Sequence, residues 1–482
     1  MDSPLSTTVN PDIAEMEYAV RGPIPRRAAE LARQGRETIL CNIGNPQAFG
    51  QRPISHYREV LGLLETPDKL RRERTLRKLF EQDPAAFEGL DDGDFASEYV
   101  LELCDDMLSK LRAGLGAYTE SSGSRFIREA VAEFIDARDG VTDSVGVRSD
   151  PEAIFLTNGA SEAARHVIDL LIAERSDGIM VPIPQYPLYS ATVKRSGGVQ
   201  VDYYPEEDSG WTLDRSMLEE ALARAVRRGV KVKALVVINP GNPTGAILPE
   251  RSGREVVAFA RDHRLAIIAD EVYQDNLYGA EFVSFASLVG REPVPLFSLH
   301  STSKGFCGEC GRRGGYVEVR NPPRIQDSST TFVDVLNKLA SVSLCSNTVG
   351  QALTYLMVKP PPQGSAPHAR FVQEKEEVLR ALHEKATVIR RAFQQMDGVE
   401  CFGTTGAMYL FPRLERLPAG TGDFDYCMSL LDSTGLCTVN GSGFGQRQGT
   451  HHLRIAFLPP REALERVLPE WTRFHNEYVR RR

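Results

Sequence analysis

Ala234-Leu-Val-Val-Ile238 runs directly into Asn239-Pro-Gly-Asn242-Pro-Thr-Gly245, and this junction decides the fold. A short continuous apolar run closed by a proline- and glycine-rich turn reads as a buried strand of a parallel sheet. The pattern recurs along the chain. Leu265–Ala269 ends in Asp270-Glu-Val-Tyr273, and Leu296–Leu299 ends in His300-Ser301-Thr-Ser303-Lys304-Gly305. Further runs at Ala153–Thr157 and Ile179–Pro182 alternate with helical patterns at Arg125–Ala137 and Ser161–Glu174. Strands separated by helices predict an α/β fold, with a mostly parallel sheet covered on both faces. Ligands of such sheets sit beyond the carboxyl ends of the strands. The polar clusters there therefore put Asn242, Asp270, Tyr273 and Lys304 forward as candidate site residues.

Outward from this centre the texture changes. Residues 1–37 read as an N-terminal arm with a short helix, Arg26–Gln34. Residues 38–112 read as the first part of a smaller domain. They carry a charged helical insert with turn signals at Thr66-Pro67 and Asp91-Asp92-Gly93. The large domain is expected over 113–357. The clearest breaker, Val358–His368, separates it from a smaller α/β domain over 358–482, with a long helix from Phe371 to Asp397 and strands at Ala407–Pro412 and Leu453–Phe457. At 482 residues and 41% hydrophobic content the chain exceeds what one core usually supports, which agrees with two domains.

The net charge of −8 argues against nucleic acid or an anionic membrane as the main partner. No apolar run is long enough to span a bilayer. The N-terminus shows no secretory pattern, and Asp2, Asp12, Glu15 and Glu17 weigh against a transit peptide. The eight cysteines are scattered rather than arranged as a disulfide framework. A cytoplasmic compartment is the expectation.

Taken singly, each polar cluster has an ordinary reading: an Asn-Pro turn, a helix-capping aspartate, a surface lysine. Taken together and in this order, they resemble the fold type I pyridoxal-phosphate enzymes, the aspartate aminotransferase superfamily. The resemblance spans almost the whole chain and implies a seven-stranded sheet. Ser301-Thr-Ser-Lys-Gly-Phe-Cys-Gly-Glu-Cys-Gly-Arg-Arg-Gly-Gly-Tyr316, Cys41-Asn-Ile-Gly-Asn-Pro-Gln47, Gly443-Phe-Gly-Gln446 and the helical insert before Tyr118 are closer still to the alanine aminotransferases.

The resemblance implies a role for each candidate. Lys304 would hold the aldehyde of pyridoxal 5′-phosphate as a Schiff base and, once released, carry the substrate α-proton. That work needs an amine pKa lowered from about 10.4 towards neutrality. Asp270 would pair with the pyridine nitrogen and keep it protonated. Asn242 and Tyr273 would hydrogen-bond the phenolic oxygen, and Tyr186 would stack on the ring. Thr157-Asn-Gly-Ala-Ser-Glu-Ala163 reads as strand end, turn and helix start, so the amides of Ala160 and Ser161 become phosphate donors. Ser301 and Arg313 complete that cradle by resemblance. Arg313 is preferred to Arg312 because it directly precedes Gly-Gly-Tyr. Arg454 would clamp the substrate α-carboxylate with its planar fork, and Gly44 would add a backbone N–H. Tyr118 matches a tyrosine that reaches the phosphate of a second subunit, which implies a homodimer with shared sites.

The reaction implied is L-alanine plus 2-oxoglutarate to pyruvate plus L-glutamate, in ping-pong order. Glutamate–glyoxylate, kynurenine or branched-chain transamination is the near alternative. A lyase or synthase on this fold, or a non-catalytic regulator, fits less well: the catalytic set is intact, and the segment before Gly44 is too short for a DNA-binding domain. Cys307-Gly-Glu-Cys310 lacks the second pair that a zinc site needs, which leaves only a redox reading. Gly441-Ser-Gly443-Phe-Gly445 lacks the Gly-Lys-Ser/Thr of a phosphate loop. His451 and His452, adjacent on a strand, point to opposite faces and do not suit joint metal ligation.

Overall fold

A computed structural model of the protein describes residues 8–16, 22–112, 114–142 and 144–480. Asp2 and Glu17, cited above for the N-terminal charge, lie outside these residues. Seven strands form the main sheet: β1 (Ile154–Leu156), β2 (Asp177–Pro182), β3 (Val199–Tyr203), β4 (Lys231–Ile238), β5 (Ala266–Asp270), β6 (Leu296–Ser301) and β7 (Gly315–Arg320). Their hydrogen-bonded order is β1-β7-β6-β5-β4-β2-β3. The expected α/β class and seven-stranded sheet are what is found. Every expected strand is present, and β3 and β7 are additional.

By contact the chain divides into two compact units, and each draws on separate stretches of sequence. The first holds residues 1–44, 164–298 and 382–482. In it β4 pairs in parallel with β5 and with β2, and β2 with β3. Ile179, Met180, Val181, Leu235, Val236, Ile267 and Ile268 have no exposed surface. Burial on both faces is why these strands lack polar alternation. Burying each such side chain contributes roughly 1.5–3 kcal/mol. Asp214 caps the helix Arg215–Arg227 by accepting from the Ser216 amide at 2.7 Å.

The same unit contains a small antiparallel sheet in which Leu453–Ala456 lies between Tyr409–Leu410 and Val439–Asn440. Ile39–Leu40 pairs in parallel with Leu436–Cys437. The C-terminal helix Arg461–Tyr478 seats Trp471 edge-on to Phe393 and satisfies its indole N–H on the Tyr426 hydroxyl at 2.8 Å.

The second unit holds residues 45–163 and 299–381. The charged insert is three helices, Ser55–Glu65, Pro67–Gln82 and Glu98–Leu111. Phe80, Phe87 and Phe95 pack together beside the turn that the Asp91-Asp92-Gly93 sequence announces. The Asp91 carboxylate accepts from the Gly93 amide there, and the Asp91 amide donates to Asp94 Oδ2. β1 and β7 pair antiparallel in this unit.

Candidate active site

The candidate residues fall into two groups, one in each unit. In the second unit, β1 ends at Leu156 and the helix Ala160–Leu171 begins within a few residues. Its first-turn amides, including those of Ala160 and Ser161, have no acceptor within the helix. Gly159 makes the turn with φ +77°, and a Cβ there would meet Arg313 Nη2 at 2.7 Å. Glycine is thus required both for the backbone conformation and for the close approach of the guanidinium. Arg313 itself adopts a left-handed φ of 56°, an unfavourable conformation for a non-glycine residue that turns up at ligand clamps. Its Nη2 donates to Asn158 O at 2.7 Å and to Ser161 Oγ at 3.2 Å. Its Nη1 donates to Cys310 O at 3.1 Å. Ser301, 3% exposed, sits at the end of β6, and its Oγ accepts from the Ser303 amide.

These are a helix N-terminus, a guanidinium and a serine on one set of loops: the donor set a phosphate needs. Arg312 takes another course and pairs with Glu65. Lys304 lies half-buried in the turn after Ser301. The loop beyond it is tied down by Gln51, which donates to Phe306 O at 3.0 Å, and by Arg58 on the buried Glu309 at 3.0 Å. Tyr118 is 77% exposed, so within its own chain it is not drawn into the cradle.

In the first unit Asp270 ends β5 and is 6% exposed. Its Oδ2 accepts from the Tyr189 hydroxyl at 2.7 Å. Burial first, and the neighbouring carboxylate second, push the Tyr189 phenol well above its ordinary value, so it is a fixed donor. Tyr273 is also fully buried and lies edge-on to Tyr409, with the two hydroxyls 3.4 Å apart. Burial, then Tyr409, raise its phenol well above the usual range. Tyr186 is half-buried in the turn that leads from β2 to the helix Leu188–Arg195.

Arg454, 1% exposed, projects from the central strand of the small sheet. Nη1 donates to Asn242 Oδ1 at 3.1 Å and Nη2 to Asn42 O at 2.6 Å. The guanidinium lies over the rings of Tyr409 and Phe444, 4.2 and 4.7 Å from their centroids. Its Nε and the side-chain oxygen of Asn42 are buried with no protein partner. Desolvated polar atoms without partners are costly, and the Arg454 Nε is a donor that a ligand could meet. Gly44 follows Asn42 by two residues on the same segment.

The sequence reading missed Tyr189, Asn42, Tyr409 and Phe444. Asn42 and Phe444 stand inside motifs already singled out, and Tyr189 lies three residues after Tyr186; only geometry reveals their contacts. Asn42 serves through its carbonyl, which no sequence pattern marks.

The class I and II aminotransferase profile matches residues 93–469. The chain belongs to the class I and II aminotransferases. It is 42% identical to human alanine aminotransferase 1, covering 98% of this chain and 94% of that one. It is 39% identical to glutamate–glyoxylate aminotransferase 1 of Arabidopsis thaliana, covering 98% and 96%. The solved structure of an alanine aminotransferase from Pyrococcus furiosus superposes with a TM-score of 0.76 at 25% identity, covering 98% of this chain and all of that one.

As a member of this family the protein is an aminotransferase that depends on pyridoxal 5′-phosphate. The residues present fit the cofactor. The helix-start amides beside Arg313 and Ser161 suit its phosphate, and the buried carboxylate of Asp270 suits a protonated pyridine nitrogen. When bound, the cofactor supplies an aldehyde for the substrate amine and a cationic ring that withdraws electrons from the reacting carbon.

Proposed function

We propose that this aminotransferase converts L-alanine and 2-oxoglutarate to pyruvate and L-glutamate. The reading is carried by Arg454. A buried, aromatic-stacked guanidinium with an unpartnered Nε is a receptor for a small carboxylate, and α-amino and 2-oxo acids both carry one. Likeness to human alanine aminotransferase 1 over nearly the whole chain supports the substrate pair. With its oxygen on Arg454, Asn242 would keep its amide nitrogen for the phenolic oxygen of the bound cofactor, and Tyr273 would donate to the same atom. Asp270, oriented by Tyr189, would hold the proton on the ring nitrogen. Ala160, Ser161, Ser301 and Arg313 would hold the phosphate. Tyr186 would stack on the ring, and Gly44 would add its amide to the substrate carboxylate. Lys304 would anchor the cofactor and move the proton at the substrate α-carbon.

The exposed Tyr118 completes the cradle of a second copy, so the working unit is a homodimer. The cytoplasmic assignment and the division into arm, large domain over 113–357 and small domain over 38–112 and 358–482 belong to the same proposal. No helix among the described residues is long and apolar enough to cross a membrane.

The test is product formation by the holoenzyme from L-alanine with 2-oxoglutarate or glyoxylate as acceptor. Pyruvate release with preference for 2-oxoglutarate is expected. Preference for glutamate with glyoxylate would replace the substrate pair and keep the class. Lys304→Ala is expected to lower turnover by roughly 10²- to 10⁴-fold, the usual span of general acid–base catalysis. A variant that kept its rate would refute the role of the lysine.

A further inference from the structure

His452 lies two residues before Arg454 and, by the period of a strand, on the same face. It is 2% exposed, and both its ring nitrogens are bonded. Nε2 lies 2.9 Å from Glu207 Oε1, and Nδ1 lies 2.9 Å from Gln446 Oε1. The amide of Gln446 has only one possible orientation, because its nitrogen faces Asp423 Oδ2 at 2.7 Å. Asp423 also accepts from the amide and the hydroxyl of Ser442, both at 2.8 Å. A carboxylate in this position only accepts, so Gln446 must present its nitrogen to Asp423 and its oxygen to His452. Both neighbours of the imidazole are therefore acceptors, and a neutral ring has a single N–H.

We infer that His452 is a buried imidazolium and a positioning residue for the carboxylate-binding Arg454. Of the charges around the imidazolium, Glu207 faces it directly and Asp423 acts through Gln446. The cations nearby are Arg413, offset by Glu207, Asp208, Glu400 and Glu415, Arg447, paired with Glu206, and Arg454 on the same strand face. Its faces are covered by Phe411, stacked at 4.7 Å, and by Trp211 at 6.2 Å.

The connection to Arg454 runs through the 441–446 loop. Gln446 and Ser442 fasten this loop to Asp423, and Gly441 N donates to His452 O at 2.8 Å. A Cβ on Gly441 would meet Gln446 Oε1 and His452 Cβ, each at 2.6 Å, so the loop is packed onto the network. The loop carries Phe444, which packs edge-on against Phe411 and under the Arg454 guanidinium. When His452 loses a proton, one acceptor loses its donor. The Nε2 proton is held by a carboxylate and the Nδ1 proton by a neutral amide oxygen, so the Nδ1 proton is the one lost. Gln446 then turns, its bond to Asp423 breaks, and the platform beneath Arg454 loosens. A cavity of about 190 Å³ lined by Glu207, Arg413, Gln446 and His452 gives solvent a route to the ring.

The inference rests on Arg454 being the carboxylate clamp, so the test has two arms. In holoenzyme labelled with ¹³C and ¹⁵N at its nine histidines, the His452 ring, assigned by difference from His452→Gln, is expected to show two protonated nitrogens at pH 7. A neutral tautomer would overturn the inference whatever Arg454 does. In the second arm, KM for the amino acid is followed against pH. It is expected to rise above one inflection in the wild type, with kcat changing much less. Glu207→Gln moves that inflection to lower pH, because a neutral partner favours the cation less. His452→Gln removes it and raises KM about tenfold at neutral pH, the scale of one charge-assisted hydrogen bond. An inflection unmoved in both variants would overturn the positioning role. A doubly protonated ring without any KM effect would refute the link to Arg454 and leave the imidazolium.

Discussion

Arg313 and Arg454, the two arginines proposed as anion receptors, have surroundings that differ in kind. Arg313 sits in a strained left-handed turn with most of its donors already on carbonyl and hydroxyl oxygens of its own loops. Arg454 lies over the rings of Tyr409 and Phe444, with a buried Nε that no protein group meets. The first arrangement is rigid before any ligand arrives, which suits a phosphate that stays through many turnovers. The second leaves donors waiting, which suits a carboxylate that enters and leaves in each half-reaction. Preorganisation is spent where the ligand is permanent, and unsatisfied polarity is kept where it is transient.

The sharpest break of this comparison is Arg454→Ala. It is expected to lower kcat/KM for the amino acid by roughly 10³-fold, as expected when one partner of a buried charge pair is removed. Cofactor affinity, measured by titrating apoenzyme with pyridoxal 5′-phosphate, should stay within a few-fold of wild type. Arg454→Lys restores the charge but not the fork, and roughly tenfold or more of the deficit should remain. Equal losses of cofactor in both variants would show that Arg454 supports the whole site and not the substrate alone.

Arg313→Ala is the converse. The cofactor dissociation constant is expected to rise by roughly 100-fold, the scale of two charge-assisted hydrogen bonds. At saturating cofactor, kcat/KM should recover to within about tenfold of wild type. Should Arg313→Ala and Arg454→Ala give one phenotype, the division between permanent and transient anions would fail.

The two arginines were unequally legible in the sequence. Arg313 stands beside Arg312, and only the Gly-Gly-Tyr that follows separates them; the structure sends Arg312 to Glu65 instead. Arg454 is marked only by the family resemblance, because its partners, Asn42, Tyr409 and Phe444, come from distant parts of the chain. The strands show the same contrast. β2, β4, β5 and β6 are buried apolar runs and were plain. β3 is half-exposed, and its Gln200 and Asp202 hide it. β7 carries Glu318 and Arg320, which look like surface charges. They are instead a buried ion pair at 2.7 Å, with Arg320 also bonded to Val147 O and Ser149 Oγ. Apolar burial leaves a pattern in sequence. Buried polarity satisfied by distant partners does not.

Tyr189→Phe gives the smallest effect and the finest cut. Tyr189 belongs to the same unit as Arg454, yet its hydroxyl serves Asp270, the residue proposed for the cofactor's ring nitrogen. Removing it leaves the buried carboxylate short of one donor, which is worth roughly 1.5–3 kcal/mol for a bond to a charged group. Part of that loss is made up by the cationic ring nitrogen when the cofactor is bound. Turnover is therefore expected to fall by about tenfold or less, with KM for the amino acid nearly unchanged. The phenol stays protonated well above its ordinary range, so the rate difference between Tyr189→Phe and wild type should be constant up to about pH 10. A difference that closes as pH rises towards 10 would mean that Tyr189 ionises in the fold. A change in KM would mean that the ring and the carboxylate clamp share this tyrosine, and the line between the permanent and the transient ligand would then have to be redrawn inside the first unit.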